Sequence, residues 1–176
     1  MKRSLIVGMA VIACSTLLAQ RPSLTPNPII GTWKQDMEKS TYSPGPPPAK
    51  GTYSVRQYAA GDDGSIVAIT MNVDDRGLPS LGAISAANYD SREYVQHTVA
   101  TLATSLGSHI GPKLDRTISY KYVDLYTVQI VQKQDGETVS ASTRTISRDG
   151  KTMTDRFDYT NAAGQRVTNV LVFEKQ

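Results

Sequence analysis

Short turn sequences recur along this chain and restrict it to folds that are built from hairpins. Each turn combines aspartate or asparagine with a following glycine, at Asp62-Asp63-Gly64, Asp74-Asp75-Arg76-Gly77, Asp135-Gly136, Asp149-Gly150 and Asn161-Ala162-Ala163-Gly164. These residue types tolerate the positive φ angles that tight hairpins require. The segments between the turns are rich in Thr, Val, Ile and Tyr, which fit the half-buried surface of a sheet. The sequence therefore predicts an all-β fold of short antiparallel strands.

Alternation of apolar and polar residues indicates where these strands lie. Tyr126, Val128 and Ile130 alternate with polar neighbours, as in a strand with one dry face and one wet face. The nine strands predicted in this way are 29–35, 51–59, 65–73, 78–89, 115–122, 125–134, 137–147, 151–160 and 165–175. Their close succession favours an up-and-down antiparallel β-barrel, because closure leaves no strand edge exposed. The proline-rich stretch 43–48 is expected to be a stiff connector, since proline has no N–H to give to a sheet.

One segment, from Asp90 to Ile110, departs from the strand pattern. Apolar residues recur there at steps of three or four, at Val95, Val99, Leu102, Leu106 and Ile110. This spacing places them on one face of an α-helix, and Asp90 followed by Glu93 resembles a helix capping box. We expect one amphipathic helix, over 91–106, inserted across the barrel mouth or packed on its wall. A strand is the alternative, because the segment is rich in threonine.

Residues 1–19 are organised like a secretory signal peptide. Lys2 and Arg3 precede 15 residues without a charge, a run of the kind found in signal peptides and shorter than the about 20 apolar residues of a transmembrane helix. Cleavage after this segment predicts a flexible stretch, 20–28, followed by one barrel domain, 29–176. The predicted location is secreted or periplasmic.

A lipoprotein is the competing interpretation of the same segment. Val11-Ile12-Ala13-Cys14 resembles the bacterial lipobox, in which Cys14 becomes the lipidated first residue. Against it, the apolar run continues past Cys14 to Ala19. An outer-membrane lipoprotein is therefore the alternative location, and only this alternative predicts membrane attachment.

Charge and composition exclude several classes of function. The chain of 176 residues has a formal net charge of +3, which becomes +1 once Lys2 and Arg3 are removed. The remaining basic residues are scattered among acidic ones, so no nucleic-acid partner is expected. One cysteine and two histidines give no disulfide framework and too few ligands for a metal centre. No catalytic triad, phosphate loop or EF-hand pattern occurs, and neither a cofactor nor a transmembrane segment is expected.

Gly31-Thr32-Trp33, at the start of a predicted strand, resembles the Gly-x-Trp motif of the lipocalin and calycin barrels. The chain is also similar to small secreted lipocalin-like proteins of soil bacteria, in the stretches Gly31–Lys34, Glu38–Ser40, Tyr42–Pro46, Thr143–Ser147, Asp149–Thr154 and Val172–Gln176. The resemblance implies a lipocalin-like barrel in which Trp33 is structural and plugs one end. It implies function only weakly, since such barrels include carriers, inhibitors and a few enzymes.

The candidate ligand-binding residues are aromatic, basic or helix-borne: Tyr94, His97, Leu102, Tyr120, Tyr122, Arg144 and Arg156. Tyr120 and Tyr122 share one face of a strand, where aromatic rings can line a ligand site. An inward Arg144 or Arg156 would suit a carboxylate, whereas outward ion pairs with aspartates are the alternative. His97 with Glu93 on the predicted helix could form a general base or a simple surface pair.

Three functions fit these features. The first is a secreted or periplasmic lipocalin-like protein that binds a small, largely apolar ligand, with the helix as a lid. The second is an isomerase or cyclase that uses the same cavity without a metal or organic cofactor. The third is a filled barrel that acts as a surface interaction module. No catalytic residue can be assigned from the sequence, and an enzyme is the less favoured interpretation.

Overall fold

The computed structural model describes residues 27–98, 116–160 and 164–176, which form ten β-strands. The strands are β1 (Gly31–Thr41), β2 (Tyr53–Ala60), β3 (Ile66–Val73), β4 (Pro79–Ala87), β5 (Tyr94–Thr98), β6 (Arg116–Asp124), β7 (Thr127–Gln134), β8 (Glu137–Ile146), β9 (Thr152–Thr160) and β10 (Arg166–Lys175). Nine of them correspond to the nine predicted strands. Eight agree to within two residues at each end, whereas β1 continues six residues beyond the predicted end at residue 35. The tenth, β5, lies in the segment that was expected to be helical.

The strands close into a single barrel in which each pairs antiparallel with its neighbours in sequence. β1 closes the barrel by pairing with β2 on one side and with β10 on the other, for example Trp33 opposite Arg56 and opposite Lys175. The prediction of an up-and-down antiparallel barrel is confirmed. Closure gives every strand a hydrogen-bonded neighbour on both sides, so no edge strand has to be protected.

The prediction of an inserted helix is wrong over the part of it that the structure describes. Tyr94–Thr98 is a strand that pairs with β4 and β6, and residues 27–98, 116–160 and 164–176 contain no helix. Exposure alternates within β5, since Val95 is 60% exposed and Gln96 only 5%. Asp90, expected in a helix cap, instead accepts the N–H of Arg92 in a turn.

The apolar spacing predicted a helix here because periodicity indicates only which residues of one segment are buried. The conformation of the segment is decided by its hydrogen bonds to two neighbouring strands. Tyr, Val and Thr in β5 favour strands once such neighbours are present. The remainder of the predicted helix, 99–106, lies outside the described residues.

The hairpin turns follow the chemistry expected of their sequences. Asp135 and Gly136, which join β7 to β8, both have positive φ, 52° and 86°. A two-residue turn of this kind matches the twist of the flanking strands. Residues 43–50, which contain the proline-rich connector, are exposed and lie between β1 and β2.

Apolar side chains fill one end of the barrel, which we call the Trp33 end and define by Ile29, Trp33, Ile146, Met153 and Phe173. Trp33, Met153 and Phe173 have no exposed surface. The indole Nε1–H of Trp33 donates to the Ile29 carbonyl at 2.8 Å, so the one polar group of the ring is satisfied. The opposite end, which we call the mouth, is defined by the connections 42–52, 74–78 and 135–136.

None of the described segments forms a helix of the length and apolarity that a membrane crossing requires.

Candidate functional site

A cavity of about 160 Å³ lies in the barrel interior above the Trp33 end. Side chains from eight consecutive strands, β2 to β9, line it. Its apolar wall includes Ile118, Ile130 and Phe157, whereas its polar wall includes Ser85, Gln96, Gln132 and Ser142. An apolar cavity of about 150 Å³ accommodates a molecule the size of benzene. The cavity is therefore large enough for the compact part of a small ligand.

Two arginines and one aspartate, which we call the arginine–aspartate triad, form the floor of this cavity. Arg144 on β8 and Asp155 on β9 are directly opposed in the strand register. Arg144 donates from Nε to Asp155 Oδ1 at 2.7 Å and from Nη2 to Oδ2 at 2.8 Å, in a two-pronged contact. Arg56, on β2 across the barrel, donates from Nη1 to the same Oδ2. One carboxylate thus holds two guanidinium groups.

Aromatic rings hold the two guanidinium groups in place. The Arg56 guanidinium carbon lies 4.2 Å from the centre of the Phe173 ring, and that of Arg144 lies 5.1 Å from the centre of the Tyr58 ring. Such contacts restrict the orientation of an arginine and stabilise its charge where water is excluded. The triad is therefore fixed by packing from the Trp33 end as well as by its own hydrogen bonds.

All three members of the triad are charged. Burial by itself would raise the pKa of Asp155, but the attraction of Arg144 and Arg56 outweighs burial and lowers that pKa below its usual range. For Arg144, burial opposes the charge, yet Asp155 raises the pKa well above its ordinary value. Asp155 is 1% exposed, and Arg144 and Arg56 are 5% and 9% exposed. The triad consequently carries a net charge of +1 inside the barrel.

The guanidinium groups have more donors than the aspartate can accept. Of their ten N–H groups, three donate to Asp155 and the other seven have no acceptor among the described residues. Arg144 Nη1 is fully buried and has no hydrogen-bond partner among the described residues. A buried donor without a partner is costly, so the triad is incompletely satisfied by the described part of the chain.

A second chamber, of about 340 Å³, lies between the first cavity and the mouth. The two share Gln132 and Phe157 in their linings. The mouth chamber is also lined by Arg116, whose buried Nε has no partner among the described residues, and by Tyr159 and Asn169. Ionisable side chains lining the two chambers, tyrosines aside, comprise three arginines and a single carboxylate, Asp155, within the described residues.

The structure brings two of the seven sequence-predicted ligand residues to the cavity, Tyr120 and Arg144. Tyr120 is 4% exposed, and its hydroxyl lies 3.5 Å from Ser85 Oγ. Burial raises the pKa of Tyr120, so its hydroxyl stays protonated and can donate a hydrogen bond. Its ring stacks on that of Tyr89, with centroids 4.6 Å apart, which fixes it in the cavity wall.

Three further candidates lie outside the cavity. Tyr94 packs against the apolar cluster that includes Ile118 and Tyr120 but is not in the cavity lining, and its hydroxyl donates to Asp90 Oδ2 at 2.9 Å. Tyr122 is 41% exposed, and its hydroxyl accepts a hydrogen bond from Asn27 Nδ2 at 2.6 Å. Arg156 is exposed on the outer face of β9, because it alternates with the inward-facing Asp155.

His97 is on β5 beside the cavity-lining Gln96 but is not itself part of the lining. The predicted pair of His97 with Glu93 is not formed, since Glu93 instead contacts Thr117 and Lys133. The cavity-enzyme alternative requires His97, Tyr120 and Asp155 to converge on one pocket. Tyr120 and Asp155 both line the cavity, but His97 does not. Leu102 and Cys14 lie outside the described residues.

Sequence reasoning did not select Arg56, and it considered Asp155 only for the cavity-enzyme alternative and not as a ligand-binding residue. Arg56 has the same strand parity as Tyr58, and Asp155 the same parity as Met153 and Phe157. A charged residue at an apolar position of the alternation was the available signal. Such a residue indicates only an interruption of the apolar face of a strand, unless its partner on another strand is known.

The described residues contain no group of three or more His, Cys, Asp or Glu side chains placed to hold a metal ion. No protein-family model matches the sequence, and no curated protein matches it significantly. The likeness to lipocalins thus consists of the Gly-x-Trp motif, the other quoted stretches and the closed antiparallel barrel.

Proposed function

We propose that this protein is a lipocalin-like barrel that binds one small molecule in its interior, in a secreted or periplasmic location. The observation that carries the proposal is the pair of neighbouring chambers, which share Gln132 and Phe157 in their linings. A barrel that served only as a scaffold would fill this volume with side chains. The proposed location rests on the N-terminal sequence.

The lining favours a ligand with both an apolar body and polar groups. Ile118, Ile130 and Phe157 offer apolar surface, while the triad and nearby amides and hydroxyls offer hydrogen bonds. A few fixed polar groups within an apolar wall are typical of small-molecule sites. The expectation of a largely apolar ligand is accordingly revised toward an amphipathic one.

Native mass spectrometry of the protein purified from its own host tests the proposal. We expect a mass excess that corresponds to one small molecule and disappears under denaturing conditions. Ala83→Phe, which places a ring in the cavity, should yield empty protein. Ala86→Phe is the matched control, because Ala86 lies on the same strand but is exposed. Reproducibly empty protein that also binds no fluorescent fatty-acid probe would contradict the proposal.

A further inference from the structure

We propose that the ligand of this barrel is an organic monocarboxylate, whose carboxylate is held by Arg56 and Arg144 on the cavity floor. This inference rests on the proposed function and adds the chemical class of the ligand. It follows from the charge of the triad, from its unused hydrogen-bond donors and from its position in the cavity.

Charge is the first argument. Two guanidinium groups share one carboxylate, so the triad retains one positive charge on side chains that are all buried. An unpaired buried charge is strongly unfavourable, whereas a second carboxylate would neutralise it. Arg116 adds a further positive charge along the path from the mouth, with no additional carboxylate in the linings of the described residues. The interior therefore attracts an anion and repels a cation.

Unused hydrogen-bond donors are the second argument. Asp155 engages Arg144 through two of its N–H groups and Arg56 through only one. Arg56 keeps four N–H groups without an acceptor among the described residues, and the guanidinium fork matches the two oxygens of a carboxylate. Tyr120, whose pKa burial raises further above neutral pH, adds a protonated hydroxyl on the same cavity wall.

The position of the triad is the third argument. Along β8 and β9, Arg144 and Asp155 follow the Trp33-end residues Ile146 and Met153, and Ser142 and Phe157 come next toward the mouth. A carboxylate on the floor directs the rest of the molecule past Ile118, Ile130 and Phe157. A straight or ring-bearing carboxylate with a compact apolar body fits this arrangement.

Calorimetric titration with octanoate and with 1-octanol tests the inference, because the two probes share their chain and differ in charge. We expect octanoate to bind at least about tenfold more tightly than octanol, as a charge-assisted contact to buried arginine implies. Arg56→Met leaves the paired Arg144 and Asp155 neutral as a unit, so the preference for octanoate should fall to near unity while octanol binding persists.

Arg156→Met is the matched control, since it makes the same substitution and the same change in net charge on the outside of the barrel. It should retain the full preference for octanoate. Equal binding of both probes to the unaltered protein, or equal loss in both arginine variants, would overturn the carboxylate proposal and leave interior binding intact. Binding of neither probe counts against the proposed function itself. Should Arg56→Met fail to fold, the comparison of the two probes on the unaltered protein decides.

Discussion

The two ends of the barrel use equivalent inward-facing positions on the same strands, yet they are filled in opposite ways. On β9, Met153 at the Trp33 end is followed inward by Asp155 and then by Phe157 and Tyr159 toward the mouth. On β8, Ile146 is followed by Arg144, Ser142 and Ser140. The first layer is a packed apolar core, and the layers above it contain the triad and two chambers. The Trp33 end thus supplies stability, and the space above it can accept a ligand.

Truncation at the Trp33 end has the largest expected effect on stability. Trp33→Ala removes a fully buried ring and its hydrogen bond to Ile29, and should lower the free energy of unfolding by about 4–5 kcal/mol. Urea denaturation followed by circular dichroism measures the loss. Trp33→Phe, which keeps a ring, should lose clearly less. A loss below about 1 kcal/mol for the alanine variant would show that this end is not the stabilising core.

Removal of the central carboxylate comes next. Asp155→Asn leaves two buried guanidinium groups without a counter-ion and should cost about 3–4 kcal/mol at neutral pH. Asp158→Asn is the control, since Asp158 is exposed and pairs with Arg166 on the outer surface. Similar losses in the two variants would contradict the central place given to the triad.

The cost of Asp155→Asn should also depend on pH in a known direction. The folded protein holds the pKa of Asp155 below its usual range, so the unfolded chain takes up the proton first, near pH 4. The stability contributed by Asp155 is complete above this pH and declines as the pH falls further. The urea midpoints of the unaltered protein and of Asp155→Asn should therefore approach each other progressively as the pH falls below about 4. A gap that stays constant down to pH 2.5 would show that Asp155 is not stabilised as an anion.

The two arginines of the triad should differ. Arg144 makes the two-pronged contact with Asp155, whereas Arg56 makes one contact. Arg56→Met leaves a complete ion pair, but Arg144→Met leaves a buried aspartate with a single partner. Arg144→Met should be the less stable variant by about 2 kcal/mol in urea denaturation. Equal stability would mean that Asp155 is held equally by both.

Most of the fold could be predicted from the sequence, because turn chemistry and alternation are local properties. Asp135-Gly136 has the positive φ angles that its composition indicates, and nine strands lie where alternation places them. β5 could not be identified in this way, since its conformation depends on pairing with β4 and β6. The periodicity along 90–110 gives the spacing of the apolar residues but does not indicate which strands pair with the segment.

The site was predictable only in part, because its members lie far apart in sequence. Arg144 and Tyr120 were found from their residue types on strands. Arg56 and Asp155 are separated by 98 intervening residues and meet only because the barrel closes. Alternation indicates which face a residue occupies, but it carries no information about which charges meet inside or about how much of the interior remains open.

The smallest expected effect is that of shortening one isoleucine. It compares the Trp33 end with the cavity wall most directly, because the same substitution is made at two sites of nearly equal burial. Ile146 at the Trp33 end is 6% exposed, and Ile130 beside the cavity is 5% exposed. Ile146→Val removes a methyl group from the apolar cluster at the Trp33 end and should cost about 1 kcal/mol. Ile130 borders open volume and has fewer atoms to lose contact with, so Ile130→Val should cost about 0.5 kcal/mol less. Saturation with octanoate should raise the cost of Ile130→Val, since a bound chain supplies the contacts that the open volume lacks. The cost of Ile146→Val should stay unchanged. If the two variants lose the same free energy of unfolding, both with octanoate and without it, the interior is packed alike at the Trp33 end and beside the cavity.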